Sequence, residues 1–290
     1  MKKIIVAIIV AMLFTIPFIF KKEKEEIVQK NQCELVITVE GEQLPLEEYV
    51  LGVVAGEMPA AYDLEALKAQ AIAARTYAIY KMNSGQSELQ ATVAHQVFHD
   101  EQQRAEKWKD ESEQYEKKLQ QAVKETAGQI VTYNGEAISA MFHAASNGKT
   151  ESARNYSGND IAYLQSVSSP EKEIESVSVT LQQLGVKNLN ELEIVRNDSG
   201  RVDYVQLADK RLTGREFREL LSLRSTDFTL TQKQGQIVVT TSGYGHGVGM
   251  SQRGAQEYAL KGKKAEEILL HYYSGTKIEP IICENLKFND

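Results

Sequence analysis

The stretch Leu46–Tyr80, LEEYVLGVVAGEMPAAYDLEALKAQAIAARTYAIY, constrains this chain most, because it sets one carboxylate, Glu57, between Gly56 and Pro59 just ahead of a helix. Tyr49, Val50, Leu51, Val53, Val54 and Met58 make the approach apolar. A carboxyl embedded there is partly desolvated, which pushes its pKa upward and suits it to act as an acid near neutral pH. Pro59 or Asp63 can begin the helix, and Leu64, Leu67, Ala71, Ala74 and Ala78 recur on one face at helical spacing. Lys68 and Arg75 lie two turns apart at the border of that stripe, where a cation can reach back toward the Glu57 loop or a substrate. The competing reading makes Glu57 a helix cap, its charge near the positive end of the dipole.

Further along, Glu34–Glu40 alternates as a strand before Gly41, and Ala91–Phe98 is strand-like around His95. Asp100–Thr126 reads as one long helix with a buried stripe of Ala105, Trp108, Tyr115, Leu119 and Val123. Gln129–Tyr133 and Ala137–Phe142 flank Asn134-Gly135, the signal of a hairpin with a type I′ turn. That hairpin delivers His143. The small residues after it, Gly148 among them, leave room for a substrate, and His143, Ser146, Asn147 and Thr150 supply hydrogen bonds suited to sugar hydroxyls and N-acetyl groups. An Asn-Gly turn with a satisfied histidine is the plainer alternative.

Ser242–Ala255, SGYGHGVGMSQRGA, is the second candidate. Glycines at 243, 245, 247 and 249 allow positive φ or close backbone approach and present Tyr244 and His246, while Ser251 and Gln252 open the next helix. Its spacing matches neither a phosphate loop nor a dinucleotide fingerprint. Between the two candidates, Ser168–Gln234 reads as a lobe of short strands and helices, with a capped helix starting at Thr213-Gly214-Arg215-Glu216 and no evident chemistry.

Four blocks, YVLGVVAGEMP, ALKAQAIAARTYA, FHAASNGKTESA and SGYGHGVGMSQRGAQEYALKGKKAEEILLHYYSGTKI, stand in an order that resembles the stage II sporulation protein D family of endospore formers. The resemblance runs from about Leu35 to Ile278. It implies a membrane-anchored lytic transglycosylase that cleaves denuded peptidoglycan glycan strands during engulfment of the forespore, in company with a cell-wall amidase and other engulfment proteins. It implies Glu57 as the catalytic acid. The related amidase-enhancer proteins share the pattern, so a non-catalytic glycan-binding amidase activator is the alternative. Family members commonly carry Tyr where Arg253 stands and Trp where Ser157 stands. Some bind a structural zinc near the His143 loop, and with no cysteine close by, no metal or cofactor is expected here.

Residues 1–20 form a targeting segment: Lys2 and Lys3 precede the uncharged run Ile4–Phe20, about 25 Å as a helix. A cleaved signal peptide is the competing reading, but no small-x-small cleavage site closes the run, which favours an uncleaved transmembrane anchor, with residues 21–34 as a charged tether. The resemblance puts the rest of the chain outside the membrane. The expected body is α+β: a catalytic region at 35–167, the lobe at 168–234 and a C-terminal region at 235–290. A net charge of −7 without a basic stripe excludes a nucleic-acid binder. Cys33 and Cys283 lack metal-site spacing and are open to either a disulfide or free thiols.

Hydrolytic glycosidases generally use two carboxylates, whereas a lytic transglycosylase can work with one. Asp63 and Glu65 look like first-turn helix acids, which leaves Glu151 as the second carboxylate that ordinary hydrolysis would need. A zinc hydrolase built from His143, His246 and Glu57 lacks HxxxH or HExxH spacing.

Overall fold

The computed structural model describes residues 35–286 apart from 87, 93, 172, 181–187, 208–209 and 234–235. The expected anchor and tether, and Cys33, lie outside the described residues. Cys283 is disulfide-bonded. Among the described residues no helix is long and apolar enough to cross a membrane.

The chain begins with β1 (Val36–Val39) and β2 (Glu42–Pro45), an antiparallel pair turned at Glu40-Gly41. Helix α1 (Leu46–Glu57) follows directly, so Glu57 ends one helix as well as standing ahead of the next. The next helix, α2 (Leu64–Asn83), has Asp63 as its N-cap, with a carboxylate oxygen accepting from Glu65 N at 2.9 Å. The single apolar face expected of α2 is a correction. Ala66, Ala69 and Ala73 are as buried as Leu67, Ala71, Ala74 and Ala78, because alanine's small side chain lets neighbours close in from every side of a central helix.

Strand β3 (Glu88–Leu89) pairs in parallel with β1. Among the described residues the strand expected at Ala91–Phe98 does not form: His95 N–H turns back to Thr92 O at 3.0 Å, and residues 97–99 lie against α1, with His99 N–H donating to Gly52 O at 3.1 Å. The long helix expected at 100–126 is two, α3 (Glu101–Trp108) and α4 (Ser112–Glu125), joined by a 3-10 turn that Lys109 enters at φ 50°. Arg104 makes paired bonds to Glu116, at 2.9 and 3.0 Å. In a straight helix those residues would stand about 18 Å apart, so the break is what lets them meet.

Strands β4 (Gln129–Tyr133) and β5 (Glu136–Ala137) form the expected hairpin, Asn134 and Gly135 both at positive φ. Strand β6 (Phe142–His143) and the short α5 (Ala153–Ser157) then lead into the lobe. The lobe consists of β7 (Ile174–Val179), β8 (Leu192–Arg196), β9 (Val202–Leu207), β10 (Lys210–Thr213), α6 (Gly214–Leu220), β11 (Phe228–Lys233) and β12 (Gln236–Ser242). Its sheets run β10-β9-β8 and β11-β12-β7, and it encloses its own core around Val205, Phe217, Phe228, Ile237 and Val239. Strand β12 therefore belongs with the lobe, past the boundary expected at Gln234. The chain returns through β13 (Met250–Ser251), α7 (Gln252–Leu260), α8 (Ala265–Tyr272) and β14 (Lys277–Pro280), which pairs with β4. One hydrophobic core joins residues 37–164 with residues 248–281.

Candidate functional site

Two glycines one helical turn apart build the surroundings of Glu57. A Cβ at Gly52 would stand 2.2 Å from the Phe98 ring, and one at Gly56 2.4 Å from Val97 O. The notch they leave admits the 97–99 backbone, Phe98 stacks on Tyr49 at 5.8 Å, and the Val97 N–H donates to Glu57 Oε1 at 2.7 Å. Lys107 Nζ donates to Ala55 O at 2.8 Å, satisfying a carbonyl that the helix end leaves free.

Glu57 is half-buried, and desolvation raises its pKa against the opposing pull of the Val97 N–H, the Gln252 side-chain amide and the Lys107 charge. Its place at the C-terminal end of α1 excludes a dipole cap there, since the negative end of a helix disfavours a carboxylate. Around it, Tyr49 donates to Gln96 Oε1 at 2.9 Å. The buried Nε2 groups of Gln70 and Gln96 find no acceptor among the described residues.

Arg75 is a correction. It is fully buried and grips Glu47 with two nitrogens, Nε to Oε1 at 2.8 Å and Nη2 to Oε2 at 2.5 Å, while Nη1 donates to Gln129 O at 3.1 Å. Lys68 is another, paired with Glu65 at 3.0 Å and with Glu125. Both face the packing of α2 against neighbouring elements, with no bond to Glu57 among the described residues.

Strand β6 lies parallel to β13, with His143 opposite Ser251. The four glycines of the second loop all have positive φ, and Gly249 shows why: a Cβ there would stand 2.0 Å from Met141 O. His246 thus packs 5.8 Å from His143 and 5.4 Å from Tyr156, ring centre to ring centre. Burial, aided by the neighbouring arginines, lowers His246 to about 4 and holds His143 well below its ordinary value, so both are neutral at pH 7. His246 Nδ1 accepts from Val248 N at 3.1 Å, whereas His143 Nδ1 faces Val248 O at 3.3 Å and carries the proton. His143 Nε2 is left as a buried acceptor with no partner among the described residues.

Most of the polar residues expected to hold substrate do structural work. Glu171 accepts from Ser146 N at 2.7 Å, from Ser169 Oγ at 2.6 Å and from Ser251 Oγ. Burial alone would raise Glu171, and these donors outweigh it. Asn147 Nδ2 is committed to Asp227 at 2.9 Å, and buried Thr150 accepts from Val167 N at 2.9 Å. Gly148 is a turn residue at φ 106°. Glu151 is buried and accepts from Ser152 N, Asn155 Nδ2, Asn197 Nδ2 and Ser199 Oγ, at 2.8 to 2.9 Å. A carboxylate so tied is not free for chemistry. Gln252 stays beside Glu57, and Tyr244 and His246 remain at the junction with the lobe.

Sequence reasoning passed over Val97 and Lys107, although the Gly52/Gly56 pair signals that backbone approaches α1. It also passed over Glu171, Arg215 and Arg218, which only the packing of distant segments brings to the site. Arg253, a departure from the family pattern, pairs with Glu173 at 2.7 Å; Ser157, the other, donates to Ala153 O at 2.9 Å.

A family model described as stage II sporulation protein matches residues 37–133. Over 258 residues the chain is 42% identical to the stage II sporulation protein D of Bacillus subtilis strain 168, covering 82% of this chain and 75% of that protein. The protein of that name from Bacillus amyloliquefaciens is 41% identical, with the same coverage. A protein named amidase enhancer, also from Bacillus subtilis, is 27% identical over 78% of this chain and 40% of its own length.

Proposed function

Since the chain belongs to the stage II sporulation protein D family, we propose that it is a membrane-anchored lytic transglycosylase of peptidoglycan that cleaves denuded glycan strands after N-acetylmuramic acid. The observation that carries this reading is Glu57: one carboxyl of raised pKa, held by the Val97 N–H at 2.7 Å, while Glu151 is committed to four donors.

Desolvation raises the Glu57 pKa and so favours the protonated form that a general acid requires. Its proton passes to the glycosidic oxygen as the bond from C1 breaks. The resulting carboxylate takes the proton of the same sugar's C6 hydroxyl as that oxygen closes on C1, which regenerates the acid and yields a 1,6-anhydro end without consuming water. Lys107 stabilises the carboxylate between the two transfers without forming an ion pair that would abolish its acidity. Gln252 orients the group from the other side.

Residues 4–20 anchor the enzyme, and the body works outside the membrane on strands that a cell-wall amidase has stripped, in the engulfment step of sporulation. The amidase-enhancer relative supports an amidase as working partner. The test is a digest of peptide-free glycan strands by the full chain, with products weighed by mass spectrometry. Fragments one water lighter than hydrolytic ones are expected. Only reducing ends, or no cleavage, would overturn the reading; stimulation of an amidase without cleavage would put the activator in its place.

A further inference from the structure

The lobe, which carried no chemistry in the sequence, turns the side chains of α6 toward the His246 loop. The Arg215 guanidinium lies 4.2 Å from the centre of the Tyr156 ring and donates to Tyr156 O at 2.9 Å. Tyr156 is itself 5.4 Å from His246. Arg218, half-buried, donates through Nε to Leu223 O at 3.1 Å and feels both Tyr156 and Tyr244. Of the other arginines near by, Arg224 pairs with Glu173 and Glu175, Arg253 with Glu173 and Arg196 with Asp227, while the buried Arg201 donates to Ser199 Oγ and to Lys149 O. Among the described residues neither Arg215 nor Arg218 has an ion pair. Glu219 is the carboxylate whose charge acts on Arg218, and it forms no ion pair with it, so two adjacent cations facing one carboxylate leave a local positive charge that an anion from outside would balance.

The same spot offers features of a sugar site. Tyr244 is 45% exposed, Tyr156 is half-buried, and the two rings give flat apolar faces. From His246 to Gln252 the chain runs six residues, at most about 20 Å even if fully extended, so this spot and Glu57 lie within reach of one short glycan.

We propose that Arg215 and Arg218, with Tyr156, Tyr244 and His246, form a subsite for the lactyl carboxylate that muramic acid exposes once its peptide is removed. This rests on the glycan reading above and adds the basis of selectivity for stripped strands. A peptide joined through that carboxyl makes it a neutral amide, whereas the free carboxylate accepts charge-assisted, bidentate bonds from a guanidinium.

The experiment measures binding, so it does not depend on cleavage. Full chain carrying Glu57→Gln is titrated with peptide-free glycan strands and with the same strands methylamidated at the lactyl carboxyl. The free acid should bind about 10- to 100-fold more tightly, the range of one or two charge-assisted bonds. Arg215→Gln/Arg218→Gln should reduce that preference to within about 3-fold, and Arg218→Lys should retain part of it. If the double variant fails to fold, Arg215→Gln alone, on an exposed side chain, should still lower the preference several-fold. Equal binding of the two strands, or a preference unchanged by the arginine variants, overturns the subsite and leaves the transglycosylase reading standing. Absence of binding to either strand overturns both.

Discussion

Replacing Glu57 with Gln tests the acid at the point where structure and chemistry meet. The Gln oxygen can keep the 2.7 Å bond from Val97 N–H, and the new amide fits the same notch, so folding and glycan binding are retained. The transferable proton is not. Loss of general acid–base catalysis removes about 10²- to 10⁴-fold in rate, roughly 3 to 5 kcal/mol of transition-state stabilisation. Stability should respond in the opposite direction. Because the folded-state pKa of Glu57 is raised, the native protein holds more protons than the unfolded chain between about pH 4.3 and the raised value. Wild-type stability therefore falls as pH rises through that window, a loss the Gln variant does not suffer. Thermal melts from pH 4 to 8 should show the variant gaining on wild type as pH rises, while timed digests show its rate collapsing. Cleavage at the wild-type rate, or a stability difference that moves the other way with pH, would refute the reasoning.

Gly56→Ala puts a Cβ 2.4 Å from Val97 O and pushes away the N–H that holds Glu57, so it should lower both cleavage rate and stability, the latter by about 1 to 3 kcal/mol, read from digests and denaturant unfolding. Arg75→Met leaves Glu47 without its partner and Gln129 O without a donor; about 3 kcal/mol of stability should be lost, with kcat per folded molecule unchanged, and a lost kcat at full stability would return Arg75 to the active site. Glu151→Gln turns an amide against donors already committed to that carboxylate, costing about 1 to 3 kcal/mol by denaturant unfolding while products keep their 1,6-anhydro ends. Inactivity of that variant at unchanged stability would favour a two-carboxylate hydrolase.

The hairpin at Asn134-Gly135, the capped helix at Thr213 and the apolar surroundings of Glu57 were legible in the sequence, because each depends on a few neighbouring residues: a positive-φ turn, a capping box, an apolar run around one carboxyl. Arg75 was misread for the same reason. From the helix alone it borders an apolar stripe; whether it meets Glu57 or Glu47 depends on how α1 and β4 pack on α2. The polar residues of the His143 loop likewise looked free until Glu171, Asp227 and Val167 reached them from distant parts of the chain. Local pattern thus determined which residues could act, Glu57 in its apolar run among them. Tertiary structure decided which remain available, since each buried donor and acceptor must find a partner and that partner comes from far along the chain.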